Sequence, residues 1–287
     1  ADLPSIEELK KKVKDFADNL MELKETPMIE EYYTGPVLFE GGAASRLFTD
    51  NLLSPGRLLA LRTMAPARGM LDEQLGRRII DSRLTVKNYT TLAEYNGTPL
   101  FGCYEIDGDG VVPAAELTLV ENGVFKRMLN GRVPTLKAPE STGSARFMIS
   151  PDNPMAIVSP GTIHVQASKG VGPEKLKKAL LKAAKEADLE YAYIVRRIGG
   201  EASAVYKVNV KDGKETRVRV NNLSAPELTK LMDLKGISSD ERVMNYFPNG
   251  VPASLIYPSA IIVGDVEINR TTPKIEEEPV LKHPLQR

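Results

Sequence analysis

Asn122-Gly123 stands between two alternating runs, residues 116–120 and 124–129, and no other stretch constrains the fold of this chain as strongly. Both residues tolerate positive φ, which the tight two-residue connection of a β-hairpin requires. The pattern returns at Asp212-Gly213, between residues 205–210 and 216–220, and residues 83–89 also alternate with a period of two. Ser203-Ala204-Val205-Tyr206 and residues 259–268 read as further strands. Strands in runs with few intervening helices predict an α+β fold with largely antiparallel sheets, not a doubly wound parallel one.

The helices flank that pattern. Ser5-Ile6-Glu7-Glu8 is a capping box that opens a helix with Ile6, Leu9, Val13, Phe16 and Leu20 on one face. The face with Lys10, Lys11, Lys14 and Asp18 reads as solvated, and the functional alternative for this helix is a contact with a further, N-terminal domain. Small residues predict a second helix from about Gly42 to Leu53, ended by Ser54-Pro55-Gly56. Pro173 is pre-set for the first turn of a third helix reaching about Ala187, with Leu176, Leu180 and Ala183 inward. Ser224 is placed to cap a short fourth one, residues 55–80 read as a mobile Arg-rich loop, and residues 272–287 form a Pro- and Glu-rich tail.

Composition narrows the chemistry. With 287 residues, one large domain or two small ones are expected. Basic and acidic residues balance at 38 each, so no overall charge draws the chain to nucleic acid or anionic lipid. No apolar run approaches the roughly 18 residues that span a bilayer, so no membrane association is expected. The single cysteine excludes an intrachain disulfide and fits a reducing compartment, with cytoplasm as the default location. Only His164 and His283 carry imidazoles, and a catalytic zinc takes about three His, Cys or carboxylate ligands.

Several constellations have plain structural readings. Residues 105–116 place Glu105, Asp107, Asp109 and Glu116 at calcium-loop positions with Gly110 at the turn, but the flanks lack the helices of an EF-hand, so a Gly-rich turn between strands is expected. His164 reads as a strand residue satisfied by a neighbour, and Cys103, in Leu100-Phe101-Gly102-Cys103-Tyr104, as a buried inert thiol. Arg197-Ile198-Gly199-Gly200 lacks the Lys-Ser/Thr of a phosphate loop. Ser141-Thr142-Gly143-Ser144-Ala145-Arg146 could cradle an anion or a peptide carboxylate through backbone N–H groups and the arginine, with an exposed polar loop as the plain alternative.

Residues 35–48 have the strand-to-helix layout in which H-E-x-x-x-H would present two histidines and a general base to zinc, yet those residue types are missing. This stretch, with Glu105-Ile106-Asp107-Gly108-Asp109-Gly110, Leu119-Val120-Glu121-Asn122-Gly123-Val124, the Ser141 to Arg146 run, Lys211-Asp212-Gly213-Lys214 and Tyr257-Pro258-Ser259, resembles the C-terminal domain of the TldD/PmbA family. That family is described as modulators of DNA gyrase and as zinc metalloproteases. The resemblance spans residues 1–271, with residues 1–30 as an N-terminal helix and without the family's usual N-terminal domain.

The resemblance implies antiparallel sheets curled into a barrel-like core. It places Glu40, Gly41 and Ser45 at the positions of the first histidine, the glutamate and the second histidine; one residue back, the set becomes Phe39, Glu40 and Ala44. No cysteine stands near Met244 and Asn245, where a third ligand would fall. The implication is a PmbA-like, non-catalytic member with no cofactor of its own, zinc belonging to the catalytic members. Thr142, Gly143 and Arg146 are then candidate substrate contacts for a peptide or unfolded segment. The expected partner is a second copy or a TldD-like subunit, with no direct nucleic acid. An active metalloprotease with an atypical or partner-completed site, and a purely structural assembly domain, stand as alternatives.

Overall fold

The computed structural model describes residues 5–29, 31–62, 71–148, 155–199, 203–220 and 223–269. In chain order, α1 (Ile6–Glu25) precedes β1 (Tyr33–Glu40) and α2 (Gly42–Leu52). Then come β2 (Leu84–Tyr89), β3 (Glu94–Tyr95), β4 (Thr98–Pro99), β5 (Glu116–Glu121), β6 (Val124–Phe125), β7 (Ala145–Met148), β8 (Met155–Val158) and β9 (Thr162–Ala167). After α3 (Pro173–Glu186) follow β10 (Tyr191–Arg197), β11 (Ala204–Asn209), β12 (Glu215–Val218), β13 (Leu234–Ile237), β14 (Glu241–Tyr246), β15 (Ala253–Pro258) and β16 (Ala260–Ile268).

Two six-stranded sheets organise these elements, in the orders β12-β11-β10-β1-β16-β13 and β14-β15-β9-β2-β5-β6. Pairing is antiparallel except between β1 and β10 and between β15 and β9. The α+β class with largely antiparallel sheets therefore holds. No closed barrel is found: each sheet ends in two edge strands, β12 and β13 in the first and β14 and β6 in the second, so among the described residues neither sheet closes on itself.

The core lies between the sheets. Val37, Phe39, Tyr193, Val195, Ile261 and Val263 from the first sheet meet Leu84, Val86, Leu119, Ile163, Val165 and Leu255 from the second. Helix α2 lies within this layer, and its small residues make that possible: Ala43, Ala44, Leu47 and Phe48 are all buried against both sheets. On the other face of the first sheet, Leu176, Leu180 and Ala184 of α3 cover Leu38, Ile194, Val208 and Ile262. The buried alanine is Ala184 rather than Ala183, because spacing of four keeps one face of a helix aligned. Strand β15 passes straight into β16 through Ser259, so one short corner carries the chain from the second sheet to the first.

Local signals are expressed as read at the turns. Asn122 and Gly123 both adopt positive φ, 48° and 79°, and join β5 to β6. Strand β6 is shorter than the alternating run suggests, because Lys126 and Arg127 both donate their backbone N–H to Leu119 O and end the ladder. Around Ser224 the structure differs: the helix is a 3-10 turn at Leu228–Met232 entered from Glu227, with no side-chain cap. Of the Arg-rich loop, residues 63–70 lie outside the described residues, as does the tail; the flanks are anchored by buried Leu71, Ile79 and Ile80. The α1 capping box forms, Ser5 Oγ accepting from Glu8 N. Its apolar face stays exposed, since none of its side chains joins either core cluster.

Candidate functional site

The strand-to-helix corner is set by β1, which runs through the middle of the first sheet and delivers Glu40 to its end. Gly41 then turns the chain with φ 55° and ψ −124°, a region that favours glycine, and α2 starts at Gly42. Gly41 N donates to Ser259 O at 2.8 Å, fastening this corner to the β15–β16 crossover.

Cationic side chains surround the corner. Arg196 Nε donates to Glu40 Oε2 at 2.9 Å, and Arg196 Nη2 to Glu215 Oε2 at 2.9 Å. Lys177 Nζ adds a 2.6 Å contact to Glu215 Oε1, and the Arg196 guanidinium lies 4.4 Å over the Tyr206 ring. Burial alone would lower the Arg196 pKa, but Glu40 and Glu215 outweigh it and raise it. Beside Gly41 sits Arg242 of β14, whose Nη1 would be 3.1 Å from a Cβ built on that glycine. Ser45 turns away from solvent: it is buried, and its Oγ donates to Gly42 O at 2.9 Å.

Strand β14 passes along this corner as a sheet edge, paired among the described residues with β15 on one side only. Asn245 Nδ2 donates to Pro99 O at 2.8 Å, which ties the β3–β4 hairpin to β14. The same hairpin brings Tyr95 OH to Glu241 Oε2, while His164 Nε2 lies 2.9 Å from Glu241 Oε1. Burial would raise the Glu241 pKa, yet the bonds from His164 and Tyr95 hold the carboxyl below its ordinary value. His164 is thus a buried strand residue whose ring nitrogens lie against Glu241 and, at 3.3 Å, Gln166 Nε2.

The loop with Thr142, Gly143 and Arg146 is built against the turn after Glu105. Thr142 N and Ser144 N both donate to Asn130 O, at 3.1 and 3.2 Å, and Gly143 N donates to Ser141 Oγ at 3.1 Å. These amides are therefore engaged within the loop itself. Gly143 has φ 66°, and an added Cβ would meet Pro113 Cα at 2.8 Å, so glycine is required for the close approach. Arg146 donates to Pro160 O and Pro252 O, each at 3.3 Å, and its guanidinium lies 4.1 Å from the Tyr104 ring centroid. Burial lowers its pKa against the opposing influence of Tyr104. Thr142 also borders a cleft of about 500 Å³ whose rim carries Lys126, Arg127, Lys137 and Glu140 and whose floor includes Leu117 and Met128.

The calcium-like loop is a structural turn. Asp107 Oδ1 accepts from Asp109 N and Val111 N at 2.9 and 2.8 Å, and Oδ2 from Ala145 N at 3.0 Å. Asp109 is bound by Arg62 at 3.0 Å and by Arg132 N at 2.8 Å. Cys103 differs from expectation: it is exposed, because Gly102 packs against Gly161 and turns the thiol outward, and Sγ donates to Leu92 O at 2.7 Å. Partial burial still raises the thiol pKa. Reading the sequence did not single out Arg196 or Arg242, since no periodicity marks two arginines from different sheets as neighbours of one turn.

A family model, the PmbA/TldA metallopeptidase C-terminal domain, matches residues 32–270. The chain belongs to that family. No curated protein matches it. Among solved structures, TldE from Thermococcus kodakarensis is similar at 16% identity with a TM-score of 0.56, covering 89% of this chain and 55% of that one. A candidate modulator of DNA gyrase from Bacteroides thetaiotaomicron is similar at 14% identity with a TM-score of 0.48, covering 88% of this chain and 51% of that one. The chain spans about half the length of the solved structures it matches.

The zinc implied by the family name is tested by the donors present. Zinc takes converging His, Cys or carboxylate ligands. Glu40 is committed to Arg196, Gly41 has no side chain, Ser45 is turned inward, and the alternative register offers buried Phe39 and Ala44. These positions do not fit the metal. Among the described residues no helix is long and apolar enough to cross a membrane.

Proposed function

We propose that this chain is a non-catalytic, peptide-binding subunit of the PmbA/TldA family, which holds an extended or unfolded segment while a related subunit bearing H-E-x-x-x-H cuts it. The observation that carries the reading is the 2.9 Å Arg196–Glu40 pair at the start of α2, with Arg242 beside Gly41. A carboxylate held by one guanidinium, in a turn with a second guanidinium beside it, is a poor metal ligand or general base, whereas guanidinium groups suit peptide carbonyls and carboxylates. The β14 edge supports the binding half of the proposal. An extended peptide can add to a sheet edge through main-chain hydrogen bonds with little dependence on sequence. A segment paired there would run past Arg242 and the Gly41 turn.

The partner is a TldD-like subunit, or a second copy of this chain in its absence, and the compartment is the cytoplasm. A stable pairing should bury at least about 1,000 Å². The test is to purify the chain, measure its zinc, and mix it with a H-E-x-x-x-H-bearing homologue from the same organism. Substoichiometric zinc, a complex on sizing at micromolar concentration and faster cleavage of an unfolded peptide are expected. Chelator-sensitive cleavage by the chain alone, with zinc lost on Glu40→Ala, would overturn the proposal in favour of an atypical metalloprotease.

A further inference from the structure

Helix α1 presents a coiled-coil seam that no described residue covers. Ile6, Val13 and Leu20 occupy one position of a seven-residue repeat and Leu9, Phe16 and Leu23 the other, the spacing of three and four that defines the a and d sites. A globular helix packed on a core normally shows a broader apolar stripe, and a strict a/d stripe is the narrower seam of paired helices. The side chains are bare: Ile6 is 71% exposed, Val13 67% and Phe16 53%. The helix is about 30 Å long at 1.5 Å per residue. Its C-terminal end is tied to the body. There Arg217 pairs with Glu22, Thr26 Oγ1 donates to Glu22 O at 2.8 Å, and Ile29 N donates to Arg219 O at 3.1 Å.

The charges beside the seam say what fits it. The described e and g positions are Ser5, Lys10, Lys12 and Ala17, so every charge flanking the seam there is positive. The carboxylates Glu7, Glu8, Asp15, Asp18 and Glu22 all fall at b, c and f, away from the seam. Lys12 also lies one turn from Glu8, whose pKa it helps to lower, an exposed pairing that leaves the ammonium able to reach across. Charges at e and g decide partner choice in coiled coils. Two copies of α1 would bring lysines and neutral residues together in either orientation, with no attractive pair. A membrane surface is also a poor match, because α1 carries six carboxylates against five lysines where interfacial helices carry a basic polar face. Ile and Val at two a sites with Leu at two d sites is the pattern that favours two strands.

We propose that α1 is a docking helix for a partner chain's amphipathic helix whose own a/d seam is flanked by carboxylates, the two forming a short two-stranded coiled coil. This surface lies outside residues 32–270 and is independent of the peptide-holding reading above.

The test uses the full chain and two synthetic three-heptad peptides, both with Ile at a and Leu at d, one with Glu at every e and g site and the other with Lys. The Glu peptide should bind one per chain, at least about tenfold tighter than the Lys peptide. Its affinity should fall as salt rises from about 50 to about 500 mM, as screened charge pairs require. Val13→Gln with Phe16→Gln should remove binding, both sites being exposed and Gln a good helix former. Lys10→Glu with Lys12→Glu leaves the seam intact and should reverse the preference. Equal affinity for both peptides, or no reversal, would overturn the proposal. So would self-association of the chain lost on the Val13 and Phe16 changes, or tighter binding to phosphatidylserine vesicles than to the Glu peptide.

Discussion

Arg196 Nε stands 2.9 Å from Glu40 Oε2, and its Nη2 stands 2.9 Å from Glu215 Oε2, so one guanidinium joins the end of β1 to the start of β12 across the two strands between them, β10 and β11. Both carboxylates are partly exposed, and pairs of this kind contribute about 0.2–1 kcal/mol each. Glu40→Gln should therefore lower stability by no more than about 1 kcal/mol in urea unfolding. Arg196→Ala should cost more than either single carboxylate change, because it removes both bonds and the contact with Tyr206. A loss on Glu40→Gln as large as that on Arg196→Ala would mean the carboxylate has another task.

Calcium should leave the melting temperature unchanged. A ligand that binds the folded state at a hundredfold excess over Kd adds about 2.7 kcal/mol, which for a domain of this size is a shift of several degrees. Asp107 has no such capacity to offer, since three backbone amides take its oxygens. Asp107→Ala strands those amides and should cost about 2–3 kcal/mol or more. A calcium-dependent rise in Tm that disappears in Asp107→Asn would show the loop to be a metal site.

Asp81 should make stability depend on pH at the acid end. It is buried, and burial would raise its pKa, but the Arg83 guanidinium and the amides of Arg83 and Leu234 more than reverse this and lower it. A carboxyl whose folded pKa lies below its unfolded value stabilises fully above the unfolded value, about 3.9, and that contribution is lost as pH falls through the folded pKa. Wild-type protein should therefore lose stability below about pH 4, and Asp81→Asn should be weaker at pH 7 with a flatter acid limb. Because Asp81 accepts from Leu234 N at 2.9 Å, the loss should loosen the join between β2 and β13. An unchanged acid limb in Asp81→Asn would refute the assignment.

How much of this was legible beforehand depends on whether the signal was local. The capping box at Ser5, the Asn122-Gly123 turn and the Pro173 helix start are written within a few residues, and each forms as read; at Asp212-Gly213 the hairpin forms with a longer connection, residues 210–214, in which only Gly213 takes positive φ. The two open sheets were not legible, because β1 pairs with β10 and β16 at separations that no pattern in a short window encodes. The exposed seam of α1 is a related case: an apolar stripe specifies burial without naming what buries it. Cys103 misled because apolar neighbours in sequence are not neighbours in space, and β4 already ends at Pro99, before Leu100 and Phe101. At the α2 corner the sequence shows which ligands are missing, while Arg196 and Arg242, which define the corner's charge, arrive from distant strands.

The peptide-holding role can be separated from ordinary surface stickiness by the alternation of a strand edge. Along β14 successive residues present their backbone groups to opposite sides, and only one alternate set faces away from β15. A peptide added there would in turn use every second amide of its own. N-methylation of alternate residues in an unfolded test peptide should then weaken binding by at least about tenfold for one set, the loss of roughly 1.4 kcal/mol or more, and much less for the other. Arg242→Glu should weaken both peptides further if the segment passes the Gly41 turn, since it reverses the charge beside that corner. Equal losses for the two N-methylated sets, read by fluorescence anisotropy, would place the peptide somewhere other than a strand edge, and indifference to Arg242→Glu would place it away from β14.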